Sequence, residues 1–232
     1  MVWPEPPADP RARLAEVVSS PRDGAPPPSV WKRAWRAVVG IEPEDEEAAR
    51  FERPFGLAAT ADGGLVVADP DAAAVIRIRP GAPPALVACA GRPWGAPMAV
   101  AASPEGDVWV ADAGEGAVAR VGADGRCAWL GEGALERPTG LALGDGRVYV
   151  ADPPRHAVAV FSTAGERISA FGAHGTGEGE LNFPTALALD AGGNLLVVVL
   201  RAESLFFPDD GLHAQKIDHA FEARLGADRH LQ

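Results

Sequence analysis

Three short stretches of the chain are apolar or aromatic at every position: Leu65-Val66-Val67-Ala68, Val108-Trp109-Val110-Ala111 and Val148-Tyr149-Val150-Ala151. Each is followed at once by an aspartate, Asp69, Asp112 and Asp152. A strand with one wet face alternates apolar and polar residues, so a run without alternation predicts a strand covered on both sides. Ahead of each run lies a proline-led segment: Pro54-Phe55-Gly56-Leu57, Pro97-Met98-Ala99-Val100 and Pro138-Thr139-Gly140-Leu141. The turns between them, Ala61-Asp62-Gly63-Gly64, Pro104-Glu105-Gly106 and Gly144-Asp145-Gly146, predict tight hairpins. Third strands are predicted over 74–78, 117–121 and 157–161, and fourth strands over 85–90, 126–130 and 167–171. A further copy begins at Phe183-Pro184-Thr185-Ala186-Leu187, and the leading prolines 54, 97, 138 and 184 are spaced by 43, 41 and 46 residues. That period is one four-stranded blade of a propeller, in which neighbouring blades supply the two covers that the second strand demands.

The phrase fails at both ends. In the fourth copy Val199 stands where the aspartate is due, and residues 201–232 carry neither the third nor the fourth strand. Instead Asp210 is placed to cap a helix over 211–225, with Ile217, Phe221 and Leu225 on one stripe. Residues 1–52 do not repeat: a proline-rich extended arm over 3–10, a short strand or helical turn over 11–20, a linker over 21–28, then a helix over 30–39 capped by Ser29. Trp31, Ala34, Trp35, Val38 and Val39 form its apolar stripe, suited to packing on the propeller, to a partner or to a membrane surface. The acidic run from Glu42 to Glu47 opposes an anionic membrane.

The expected fold is therefore all-β, a partial β-propeller of three full four-stranded blades plus part of a fourth, with an N-terminal helical arm and an irregular or helical C-terminal tail. Its segments are 1–52, 53–200 and 201–232. Three blades and a half do not close a ring of four to eight. The sequence leaves three explanations open: a chain truncated or frame-shifted near residue 199, a homodimer that completes the propeller, or an open fan capped by its two ends.

The phrase P-x-G-[LI]-A, G-x-[VL]-x-V-A-D, A-V-x-V-F, G-E-R-I, F-G, clearest from Pro138 to Gly172, resembles the NHL repeat, and the likeness extends over about residues 53–199. The resemblance implies a bacterial propeller, mostly of the six-bladed kind, acting as a binding scaffold. Trp3-Pro4, the Trp31/Trp35 helix and Gly40-Ile41-Glu42-Pro43 also resemble the leader of bacterial NHL-repeat proteins that are often exported or lipid-anchored. If the N-terminus as given is incomplete, that resemblance implies a protein outside the cytoplasm. Taken as written, Met1-Val2-Trp3-Pro4 lacks the basic and apolar regions of a signal peptide and implies a cytoplasmic chain.

Charge and composition narrow the function. A formal charge of -11 opposes nucleic acid, whose affinity comes largely from lysine and arginine neutralising phosphates. No apolar run reaches the roughly 18 residues of a membrane span. Cys89 and Cys127 lie 20 and 15 residues after Asp69 and Asp112, at non-equivalent places, and are expected as two reduced, inert thiols. The three aspartates that end the second strands are expected as structural turn caps, accepting amides two or three residues on. The glycines of Gly172-Ala-His-Gly-Thr-Gly-Glu-Gly-Glu180 lead into a strand rather than a helix, so they form a blade connection and not a phosphate cradle. Zinc-dependent lyases on related propellers gather histidines from several blades. Here only His156 and His174 fall within the repeats, no nucleophile motif is present, and neither a catalytic residue, a metal nor a cofactor is expected.

What remains is a face. Loops between second and third strands share one side of a propeller with the connections between blades, and function concentrates in such loops. That side carries Arg53, Asp71, Arg92, Trp94, Glu115, Arg137, Arg155, His156 and His174. Trp94 and the arginines suit a protein, peptide or polysaccharide partner. The alternative is a hydrolase or lyase with a metal-assisted site at the channel.

Overall fold

A computed structural model describes residues 51–175, 179–190 and 192–199, together with the backbone of short strands at 2–3, 12–13 and 220–223. Strands β1 (Val2–Trp3) and β2 (Ala12–Arg13) pair as a two-stranded ribbon. The first blade is the antiparallel meander β3 (Gly56–Ala59), β4 (Leu65–Asp69), β5 (Ala74–Ile78) and β6 (Ala85–Leu86). The second is β7 (Pro97–Ala102), β8 (Val108–Asp112), β9 (Ala117–Val121) and β10 (Cys127–Leu130). The third is β11 (Gly140–Gly144), β12 (Arg147–Asp152), β13 (Ala157–Ser162) and β14 (Arg167–Phe171). A fourth sheet contains β15 (Pro184–Leu189), β16 (Leu195–Val199) and β17 (Ala220–Ala223). The chain is a partial β-propeller.

Two expectations change. Residues 220–223, placed by sequence in a helix over 211–225, form β17, with Phe221 opposite Val197 on β16. An open strand edge offers a row of unpaired amides and carbonyls, and pairing with it overrides a modest helical spacing. The rest of that helix, and the predicted N-terminal helix over 30–39, lie outside the described residues. The fourth strand of the first blade shortens to Ala85–Leu86, since Pro83 and Pro84 just before it have no amide to donate.

The second strands explain the sequence pattern. Val108 and Val110 face the first blade and join Val66, Ala68 and Val75 in one buried cluster. Their neighbours Trp109 and Ala111 point the other way and join Leu141, Val148, Val150 and Phe161 of the third blade. Tyr149 of that blade then packs with Leu195 and Val197 of the fourth. Each core thus belongs to a pair of blades. On the inner strands the approach is close enough to require a missing side chain: a Cβ on Gly140 would stand 2.8 Å from the Thr185 carbonyl oxygen. Thr139 donates its hydroxyl to the same oxygen at 3.1 Å.

The two cysteines are not separate thiols. Cys89 and Cys127 form a disulfide, with Cα atoms 5.5 Å apart. Their separation of 38 residues is close to one blade period, so equivalent outer edges of adjacent blades bring them together. Measuring each from the aspartate of its own blade hid that adjacency. Around the bridge the Trp129 indole donates to Cys89 Sγ at 3.2 Å, and the Trp94 and Trp129 rings lie 5.8 Å apart. The first blade's other face shows Leu57 and Leu86 in one cross-strand row with Val67 and Ile76, and both row ends are exposed.

The bridge closes a loop of 38 residues between blades, so Cys127→Ser should lower the unfolding free energy by about 2–4 kcal/mol in urea titration. Denatured without reductant, the native protein should take up no thiol reagent.

Candidate functional site

The loop face is built on three carboxylates that are almost completely buried. Asp69 and Asp112 are 0% exposed and Asp152 is 1% exposed. A charge in that position is tolerated only when donors surround it. Asp112 accepts the amides of Gly114 and Glu115 at 3.0 and 3.1 Å, the local turn contacts that the sequence suggests. It also accepts Gly95 and Ala96 at 2.8 and 2.7 Å, from the connection that leads into its own blade. Asp69 binds Ala72 at 3.2 Å locally, and Glu52 and Arg53 at 2.7 and 3.0 Å from upstream. Asp152 takes the amides of Glu136 and Arg137 at 2.8 and 3.0 Å, and its turn supplies the Arg155 Nε at 3.4 Å. The upstream amides are the part of this role that sequence reasoning missed. The carboxylates therefore fix each connection against the loop beside it.

On that frame the predicted face residues take different positions. Arg53 makes a two-pronged ion pair with Asp71, at 2.8 and 2.7 Å, which holds its guanidinium further above its already high range. Arg92 is held by Glu132 at 2.6 Å and by Glu115 at 2.8 Å through Nε, and lies 4.0 Å above the Trp129 ring. It bridges blade edges and is not an open hand. Trp94 is a core residue: 9% exposed, it donates its indole N–H to the Val87 carbonyl at 2.8 Å. Burial removes it as an exposed anchor, because its ring fills the apolar space beneath the connection beside Trp129.

Of the remaining four, His156 and His174 meet at the junction of the third and fourth blades, while Arg137 leads into the third blade and shares Asp152 with Arg155. Pro153–Arg155 forms a short 3-10 turn, followed by His156 with φ 53°. The His156 and His174 rings meet edge to face at 4.4 Å, and His156 lies 4.3 Å from Phe183. Phe183 stands where the first and third blades have Arg53 and Arg137. With Val199 replacing the aspartate, its amide turns instead to His156 Nδ1 at 3.4 Å, and its φ becomes 50°. Phe183 is 41% exposed, and Arg137 is exposed with no carboxylate paired to its side chain among the described residues. Asn182 adds a buried side-chain carbonyl oxygen without a hydrogen-bond partner among the described residues.

Among the described residues no three His, Cys, Asp or Glu side chains are grouped to hold an ion, and the histidine pair meets ring to ring. On the opposite face, a groove between the second and third blades is lined by Asp107 and Arg120, paired at 2.6 Å, with Arg147 and Trp109.

A family profile for the NHL repeat matches residues 135–161. Among solved structures, the chain is similar to a catalytically inactive virginiamycin B lyase from Staphylococcus aureus with quinupristin, at 18% identity and a TM-score of 0.54, covering 63% of this chain and 48% of that one. It is similar to a gluconolactonase from Xanthomonas campestris at 21% identity and a TM-score of 0.52, covering 63% and 56%. A nidogen/laminin complex is similar at 19% identity and a TM-score of 0.53, again covering 63% and 56%. The chain spans about half the length of the solved structures it matches, and the likeness is one of fold. No curated protein matches it in sequence.

Removing a buried carboxylate leaves its amides without acceptors, so Asp112→Ala should destabilise the chain by at least about 3 kcal/mol. Asp71→Ala breaks only an exposed ion pair and should cost less than about 1 kcal/mol. Urea unfolding of the two variants side by side measures the difference.

Proposed function

We propose that the chain is a non-enzymatic propeller scaffold whose loop face binds a protein, peptide or polysaccharide partner. The observation that carries this reading is the carboxylate stapling of the loops: side chains on that face project from backbone already held in place, which reduces the ordering cost of binding. The NHL repeat and the likeness to a protein solved in a nidogen/laminin complex are compatible with it. A formal charge of -11 favours such partners over nucleic acid. The Cys89–Cys127 bridge supports an oxidising, extracytoplasmic setting.

The second reading is a hydrolase or lyase with a metal-assisted site at the channel. It draws on the His156–His174 pair and on the fold shared with a lyase and a gluconolactonase.

Immobilised protein should retain a partner from lysate, lose it in the Arg137→Glu/Arg155→Glu double variant, and keep it in Glu105→Lys, which alters the opposite face. Metal analysis of the purified protein should find well under one ion per chain. Stoichiometric zinc together with turnover of a lactone would overturn the scaffold reading in favour of the second.

A further inference from the structure

The three loops between second and third strands occupy equivalent places but differ in charge. In the first blade the loop is Pro70-Asp71-Ala72-Ala73, and Asp71 neutralises Arg53. In the second it is Ala113-Gly114-Glu115-Gly116, and Glu115 neutralises Arg92. In the third it is Pro153-Pro154-Arg155-His156. The acid is gone: Pro154 stands where Asp71 stands, so Arg137, the counterpart of Arg53, has an exposed side chain with no carboxylate paired to it among the described residues. A second cation, Arg155, takes the place of Ala72 and Glu115. Its contact is with Asp152, whose carboxylate is 1% exposed and already holds the Glu136 and Arg137 amides.

The geometry around this loop is also distinct. Two consecutive prolines fix the 3-10 turn, so Arg155 and His156 are displayed with little backbone freedom left to lose. Beside them the His156, His174 and Phe183 rings form a continuous aromatic shelf, with contacts of 4.4 and 4.3 Å. An unpaired guanidinium recognises a carboxylate through two parallel hydrogen bonds, and an exposed aromatic surface recognises an apolar or aromatic side chain. Glu136 and Glu180 lie in the same connections, so the selectivity comes from the placed guanidinium and the shelf rather than from a broad positive field.

We propose that this corner, Arg137 and Arg155 beside the His156–His174–Phe183 shelf, is the ligand-reading part of the face and takes an acidic peptide segment in which a carboxylate neighbours an aromatic side chain. The proposal rests on the scaffold reading above and narrows it to one blade junction and one class of partner.

The test is a fluorescence anisotropy titration with a labelled peptide of alternating glutamate and phenylalanine, against a lysine/phenylalanine peptide of equal length. The acidic peptide should bind saturably and the basic one should not. Arg137→Ala should weaken binding by about tenfold, the loss of one two-pronged contact. Arg53→Ala should leave it unchanged, because Asp71 already occupies that guanidinium. Pro154→Asp installs beside Arg137 the acid that the first blade has, and should abolish binding with Arg137 still present and the protein still folding cooperatively in a thermal melt. Equal binding of both peptides, equal loss in Arg53→Ala and Arg137→Ala, or no saturation up to millimolar peptide overturns the proposal. If the acidic peptide fails while the lysate partner is still lost on reversing Arg137 and Arg155, the scaffold reading stands and the peptide class is wrong. If the lysate partner survives that reversal, the scaffold reading falls with it.

Discussion

A buried carboxylate at the end of the second strand ties that strand to a segment of chain 15 to 17 residues earlier. Out of water, its oxygens are accommodated because donors from two directions converge on them. The local amides shape the loop after the strand, while the distant ones set the path by which the chain enters the blade. One side chain thereby decides where the inner strand begins and how the loop beside it is aimed. The same bond recurs in three successive blades, so the loop face is a row of similar supports carrying different side chains.

Packing follows from that placement. Once each inner strand starts at the proper height, small residues such as Gly140 bring neighbouring strands to backbone contact. The second strand then divides its side chains between two cores, Val108 and Val110 to one side and Trp109 and Ala111 to the other. Every blade contributes half of each core it touches, and none has a core of its own. This arrangement accounts for the return of the same wording along the chain: each copy must match the faces of both neighbours.

Much of this was legible in the residues. Continuous apolar runs, hairpin turns and a regular period located the strands because burial on both sides and tight turns leave local marks. What escaped notice were relations between blades. The upstream amides of Asp112 come from Gly95 and Ala96, and a backbone donor has no residue type to betray it. Cys89 and Cys127 are non-equivalent when counted within their blades, yet adjacent once the blades stand side by side. Trp94 follows a proline in a connection, a context that reads as surface, but the tryptophan fills the space under its own backbone. Strand β17 exists because the edge of β16 was open, a fact held in neither segment alone. At the candidate corner, Arg137, Arg155, His156 and His174 were visible as residue types. Their grouping with Phe183 depends on the loss of the aspartate at Val199, which the sequence showed without its consequence.

That loss has an effect on how the molecule comes apart. Phe183 holds a backbone angle that bulky residues avoid, at a cost of about 1–3 kcal/mol, and its amide leans on an imidazole nitrogen 3.4 Å away instead of on a buried anion. The junction it spans thus lacks the carboxylate staple that the first three blades share. Native fluctuations should be graded along the array, with amide protons near the fourth sheet trading with solvent ahead of those in the stapled three.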